Sequence, residues 1–336
     1  MQNELRRLNE LEMLVGKTPM AEITYRFKKA VKKLYVKLEF YNFSGSIKDR
    51  MAFNCLKKAY ENGSLKPGYI IAETTSGNTG IALCSMGSYL GHTCVIFMPD
   101  WMSEERKSII SSFGAELILV SRDEGGFLGC LEKTKEFGKK EGVYLPDQFA
   151  NKYNIDAHYI TTGPEILKQT SKFGAKIHGV ALGVGTGGTL MGVGRFLRSV
   201  DKNIKMFPME PSSSPTMTTG YQIGTHRIAG ISDEFIPQIM NLEECDEILQ
   251  VDDVDAIIMA QRISKELGLG VGISSGANFL AAILASEKTF EGANIVTVFS
   301  DDNKKYLSTD YAKEEPVKDY YISPMIEFLD ISFVDA

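Results

Sequence analysis

Short apolar runs and helix-length amphipathic stretches alternate along almost the whole chain. LYVKLEF (34–40), YIIAETT (69–75), TCVIFM (93–98) and AELILV (115–120) have the length and side-chain character of strands, and helical spacing fills the gaps between them. The alternation resumes with IHGVALG (177–183), IKMFPME (204–210), EILQV (247–251) and ANIVTVF (293–299). Strand, helix, strand repetition predicts an α/β protein of parallel sheet with right-handed crossovers. The stretch 212–227, rich in turn formers, is expected to be a long functional or mobile loop. Beyond Thr309 a tail of alternating acidic and aromatic residues suits packing on a surface or on a second subunit.

Length and composition narrow the class. At 336 residues, 43% apolar and 24% charged, the chain can build two lobes around a cleft and leaves little room for disorder. The formal charge of −6, with Lys and Arg scattered, excludes the basic face that a nucleic acid needs; the densest basic stretch, 26–33, reads as a solvated turn before a strand. Cys55, Cys84, Cys94, Cys130 and Cys245 show neither CxxC nor His-paired spacing, so no disulfide framework or zinc site is indicated. With no membrane-length apolar run and no targeting segment, the expected location is cytoplasmic.

Ligands of open parallel sheets bind at the carboxyl ends of the strands, and four loops there are unusual. In NFSGSIKDR (42–50), Lys48 follows a Gly-Ser turn at the start of a helix. Its simplest role is an ion pair with Asp49 or a neighbour; its chemical role would be a Schiff base, because partial desolvation and the positive end of a helix both help an amine lose its proton. ETTSGNTG (73–80) gathers several hydroxyl residues and Asn78 at a helix N-terminus, more than simple capping requires and suited to a carboxylate, with Asn78 free to donate. GVGTGGT (183–189) reads as a phosphate cradle, since its glycines admit an anion to the backbone amides. It is also G-x-G-x-x-G, and Glu210 stands about where a dinucleotide's ribose would be bound, so a dehydrogenase competes at this point. GISSGAN (272–278) is a weaker example of the same small-residue helix start.

Taken together, VGKTPM (15–20), GSIKDR (45–50), TSGNTGIAL (75–83), MPDWMSEERK (98–107), TTGPEI (161–166), GVGTGGTLMGVGR (183–195), MEPSSSP (209–215), GISSGA (272–277) and KYLST (305–309) resemble the cysteine synthase and cystathionine β-synthase family. These are fold type II pyridoxal-phosphate enzymes, related in fold to the tryptophan synthase β chain. Nine ordered blocks over nearly the whole chain displace the dehydrogenase reading. The resemblance implies two lobes of mainly parallel twisted sheet flanked by helices: a smaller mobile lobe over 46–153, and a larger lobe over 1–45 and 154–336 that binds the cofactor phosphate and ends in the tail 310–336. It implies that Lys48 bonds pyridoxal 5'-phosphate and later removes the substrate's α-proton, that Asn78 meets the ring hydroxyl, and that Gly185, Thr186, Gly187, Gly188 and Thr189 take the phosphate. Ser274 falls on the pyridine nitrogen, while Thr75, Ser76, Thr79 and Gln148 hold the substrate carboxylate. A neutral serine partner does not enforce ring protonation, which favours loss of a β-substituent and a bound α-aminoacrylate to which a nucleophile adds. Relatives are usually homodimers. No added haem or regulatory domain is expected.

The chain departs from that pattern in places. GISDEFIP (230–237) replaces GIGAGFIP or GIGYDFIP, which sets Asp233 on a loop facing the substrate's β-carbon, with Ser232 in place of a glycine. Phe43 and Ser44 replace Pro-Gly, and SDDNKKY (300–306) replaces PDSGERY and alters the surroundings of the cofactor ring. A carboxylate aimed at the aminoacrylate repels hydrosulfide but can take a proton from water or a thiol. The expected reaction is therefore β-replacement on L-cysteine, with release of hydrogen sulfide and addition of water, giving L-serine, or of a thiol. O-acetylserine sulfhydrylase chemistry, making L-cysteine from O-acetylserine and sulfide, is the alternative. Asp233 would otherwise cap its loop or pair with Arg227. A non-catalytic amino-acid or partner-binding relative is a further alternative, opposed by retention of Lys48, Asn78, Ser274 and the phosphate loop.

Overall fold

The computed structural model describes residues 2–232 and 234–336. The elements in chain order are α1 (Gln2–Glu12), β1 (Met20–Phe27), β2 (Ala30–Leu38), α2 (Lys48–Glu61), β3 (Ile70–Thr74), α3 (Asn78–Leu90), β4 (Cys94–Pro99), α4 (Glu104–Ser112), β5 (Glu116–Val120), α5 (Gly126–Phe137) and β6 (Val143–Tyr144). They continue with α6 (Lys152–Ala157), α7 (Gly163–Lys172), β7 (Gly179–Gly183), α8 (Gly188–Val200), β8 (Lys205–Pro211), α9 (Thr216–Thr219), β9 (Leu249–Val251), α10 (Asp253–Leu267), α11 (Ile273–Thr289), β10 (Ile295–Phe299) and β11 (Glu327–Val334).

Two sheets result. A four-stranded sheet in the order β5-β4-β3-β6 is wholly parallel. A seven-stranded sheet in the order β11-β1-β2-β10-β7-β8-β9 is parallel from β2 to β9 and antiparallel at the β11-β1-β2 end. The interior strands β4 (CVIFMP) and β10 (IVTVF) are buried along their whole length, as strands covered on both faces must be. All eight strands read from hydrophobic runs are present. Three others were not anticipated: β1, the two-residue β6, and β11, which takes part of the tail to the open edge of the larger sheet against β1. The basic stretch forms the β1–β2 hairpin, with Lys28 and Lys29 in the left-handed region at its tip. Within 212–227 one short helix, α9, is built; the rest is turn and coil. All five cysteines are free thiols, and no described helix is long and apolar enough to cross a membrane.

A buried ionic network joins the start of α2 to the larger sheet. Arg50 makes a two-point contact with Glu39 (Nε to Oε2 2.6 Å, Nη2 to Oε1 2.7 Å) and another with Glu165 (2.9 and 2.8 Å). Lys37 also pairs with Glu165, at 2.7 Å. Burial alone would raise the Glu39 carboxyl, but Arg50 and Lys37 hold it down at about 2. Removing one member of such a network leaves an uncompensated buried charge, so Arg50→Ala is expected to destabilise the fold by about 3–5 kcal/mol in urea unfolding. A loss below roughly 1 kcal/mol, the scale of an exposed pair, would show that the network is solvated.

Candidate active site

Loops leaving β3, β7 and β10, together with the loop that opens α2, converge on one cleft between the two sheets. Its wall includes Lys48, Thr75, Ser76, Asn78, Thr79, Gln148, Gly185, Thr186, Gly187, Thr189 and Ser274. Of the residues expected from sequence, Gly188 is not part of this wall: it begins α8, and a Cβ there would fall 2.0 Å from Asn154 Oδ1, so its lack of a side chain serves packing. Asp233 lies outside the described residues. Its neighbours Ser232 and Glu234 line a mouth of about 650 Å³ that continues outward from the cleft, and Arg227 pairs with Asp253, Asp310 and Glu315.

Lys48 is the first residue of α2 and half-buried, and its amide donates to Ser46 Oγ at 3.3 Å. The turn before it is braced by Asp49, which accepts from the Ser44 amide (2.8 Å) and the Ser44 hydroxyl (2.5 Å). Ser44, where relatives carry glycine, thus acquires a structural task. Burial pushes the Asp49 carboxyl up to about 6.

The loop 184–187 ends at the N-terminus of α8, where the unpaired amides of a helix start and the helix dipole favour an anion. Gly187, at φ +83°, adopts a conformation that favours glycine, and a Cβ on Gly185 would fall 2.5 Å from the Gly230 carbonyl oxygen. Two residues that sequence reasoning passed over hold this loop. Asn154 donates to both the Gln148 carbonyl and Thr186 Oγ1, each at 2.9 Å. His158, in a π-helical turn between α6 and α7, lies between Thr162 (2.9 Å) and Thr189 (3.2 Å). Burial, with Arg50 adding to it, holds the His158 ring down at about 3, so it is neutral and acts through its hydrogen bonds.

Across the cleft, Asn78 opens α3. Its amide nitrogen donates to Asp301 at 2.8 Å, so it is not wholly free to donate, and its carbonyl oxygen is buried without a partner. Asp301 is itself buried and also accepts from the Tyr306 hydroxyl at 2.7 Å. The altered SDDNKKY segment therefore keeps an anchored carboxylate and tyrosine behind Asn78. Thr79 donates to Gln148 Oε1 (2.6 Å) and Gln148 Nε2 donates to the Thr74 carbonyl (2.7 Å), which fixes one side of the 75–79 loop. Ser274, buried in the first turn of α11, forms part of the opposite wall.

Beneath this loop sits Glu73, fully buried, which accepts from the Thr74 amide (2.9 Å) and the Gln148 amide (3.2 Å). Burial raises its carboxyl to about 8, with Asp147 adding to the effect. Its folded-state value lies above the ordinary 4.5, so the folded protein binds more protons than the unfolded chain between these limits and stability falls as pH rises through the window. Glu73→Gln cannot titrate. Whatever fixed cost it carries, its stability relative to the parent is expected to be better at pH ~9 than at pH ~5 by a few kcal/mol in urea unfolding. A difference independent of pH would show that Glu73 titrates normally.

The residues present fit a phosphorylated aromatic aldehyde: an amine at a helix start, a glycine-rich helix N-terminus for a phosphate, and the partnerless Asn78 oxygen for a ring hydroxyl. Comparison with known proteins points the same way. Residues 11–301 match the pyridoxal-phosphate dependent enzyme family. The cysteine synthase of Staphylococcus aureus is 39% identical over 302 residues, covering 90% of this chain and 96% of that one. The crystal structure of a hydrogen sulfide-producing enzyme from Fusobacterium nucleatum matches with a TM-score of 0.96 and 54% identity, over 99% of this chain and all of the other. A variant of that enzyme with one aspartate changed to asparagine, in lysine-dimethylated form and complexed with an α-aminoacrylate intermediate, matches with a TM-score of 0.96 and 53% identity over 98% of this chain.

Proposed function

The chain belongs to the cysteine synthase and cystathionine β-synthase family of pyridoxal-phosphate dependent enzymes, and from that premise we propose that it performs β-replacement on L-cysteine. Hydrogen sulfide leaves and water adds to give L-serine, or a thiol adds to give a thioether. The observation that carries the choice of substrate is the 54% identity, along 99% of the chain, to an enzyme that produces hydrogen sulfide.

The cofactor is pyridoxal 5'-phosphate, which when bound supplies the electron sink that lets the α-proton and the β-substituent of an amino acid depart. Every other task falls to this chain. Lys48 would hold the cofactor aldehyde and, when free of it, would take the substrate's α-proton. Gly185, Thr186, Gly187 and Thr189 bind the phosphate, with Gly188 setting the close packing of their helix. Asn154 and His158 keep the two threonine hydroxyls in position. Asn78 accepts the ring hydroxyl, and Ser274 meets the pyridine nitrogen as a neutral partner. Thr75, Ser76, Thr79 and Gln148 take the substrate carboxylate.

Asp233 then serves as the base that deprotonates the incoming water or thiol. Support comes from its place in the sequence between Ser232 and Glu234, both at the mouth, and from burial raising the neighbouring Glu234 carboxyl, which marks this rim as poorly solvated. The lobe 46–153 closes over the cleft during turnover and excludes water other than the reacting one. The molecule works as a homodimer, in which apolar surface such as Met13, Leu14, Leu329 and Phe333 is available to be covered.

The 39% identity to a cysteine synthase favours one second reading, O-acetylserine sulfhydrylase activity. The two separate cleanly. Holoenzyme is incubated with L-cysteine alone and with O-acetylserine plus sulfide, and kcat/KM is measured for each. The proposal expects the cysteine reaction to be the faster; a higher value for cysteine synthesis from O-acetylserine would transfer the assignment to the second reading.

A further inference from the structure

Arg106, in the first turn of α4, has no part in the chemistry above, and its surroundings are unusual. Its side chain is buried, its Nε has no hydrogen-bond partner, and no carboxylate among the described residues pairs with it. What it does touch is the substrate loop. Nη1 donates to the Ser76 carbonyl at 3.3 Å, and the guanidinium carbon stands 4.9 Å from the centre of the Tyr306 ring. A Cβ on Gly77 would fall 2.5 Å from Arg106 Cδ and 2.8 Å from its Nε, so the Ser76–Gly77 peptide rests directly on the arginine.

With no counter-ion among the described residues, this buried cation carries a desolvation cost that one carbonyl and one aromatic face offset only in part. The same peptide shows where the remaining compensation is delivered. Its carbonyl accepts from Arg106, while its N–H, that of Gly77, donates to Thr75 Oγ1 at 3.0 Å. The Thr75 hydroxyl, satisfied as an acceptor, has its own proton available to donate toward the cleft. Hydrogen bonds in series polarise one another, so the positive charge of Arg106 strengthens the donor that Thr75 presents. The Thr79 hydroxyl, in contrast, already donates to Gln148.

We propose that Arg106 is a specificity-determining residue that selects substrates bearing a free carboxylate, acting through the Ser76–Gly77 peptide and the Thr75 hydroxyl. The inference rests on the assignment of the 75–79 loop to the substrate carboxylate. It does not depend on which β-substituent leaves.

The test uses holoenzyme and a ligand pair that differs only in that carboxylate, L-serine and L-serinamide, with binding read from the change in cofactor absorbance. Arg106→Gln is expected to weaken L-serine binding roughly 10–100-fold, the range for one charge-assisted hydrogen bond, while leaving L-serinamide within about twofold. Arg106→Lys, which keeps the charge, should recover part of the discrimination, and it stands in if the glutamine variant does not fold. Equal weakening of both ligands, or no change in either, would overturn the proposal. If the parent enzyme itself fails to prefer L-serine over L-serinamide, the assignment of the loop fails as well. If it prefers L-serine yet releases no sulfide from L-cysteine, only the proposed reaction fails.

Discussion

Lys48→Ala is expected to lose all measurable turnover, a fall of roughly 10⁴-fold or more, because one residue is asked both to anchor the cofactor and to move the α-proton. Lys48 is the only lysine in the wall of the cleft. Borohydride reduction of the parent holoenzyme followed by peptide mapping should therefore place the pyridoxyl group on residue 48 alone. The variant should take up the cofactor by its phosphate and ring contacts, with the absorbance of the free aldehyde in place of the lysine-bonded form. Label on another lysine, or activity in the variant, would refute the assignment.

The second large effect is predicted for Asp233→Asn. If Asp233 activates the nucleophile that adds in the second half-reaction, then the first half survives its loss: sulfide is released from L-cysteine in a single burst of about one equivalent per active site. Turnover should then stall, with a steady-state rate reduced roughly 10²–10⁴-fold, the usual contribution of a general base. Normal turnover of cysteine would assign Asp233 a structural role, and absence of the initial burst would place it in substrate binding.

Much of the architecture was legible in the sequence because it depends on local pattern. The short, predominantly apolar runs of β4, β7 and β10 suit strands covered on both faces, and the chain order of these runs implies parallel sheets. β11 was missed for the converse reason. It is an edge strand with only Phe328, Ile331 and Val334 turned partly inward, so its pattern is that of a surface tail until β1 is there to pair with it. At the site, glycine-rich and hydroxyl-rich helix starts declare themselves by composition. Asn154, His158 and Asp301 do not, since each acts on a residue distant in sequence: on Thr186, on Thr189 and on Asn78. TTGPEI lies just after His158 and SDDNKKY contains Asp301, yet no local rule says that a histidine four residues before Thr162 reaches the phosphate loop. The ion pairing of Arg50 and the weakened acidity of Glu73 likewise come from burial that only the folded chain defines.

We propose that L-cysteine is converted to L-serine by exchange of its sulfur for an oxygen of water. Incubation of the holoenzyme with L-cysteine as sole substrate in oxygen-18 water, with sulfide quantified and amino acids identified by mass spectrometry, tests it directly. The predicted result is L-serine carrying the heavy oxygen in its hydroxyl, in amounts matching the sulfide released; pyruvate and ammonia in place of serine, or no sulfide at all, would contradict it.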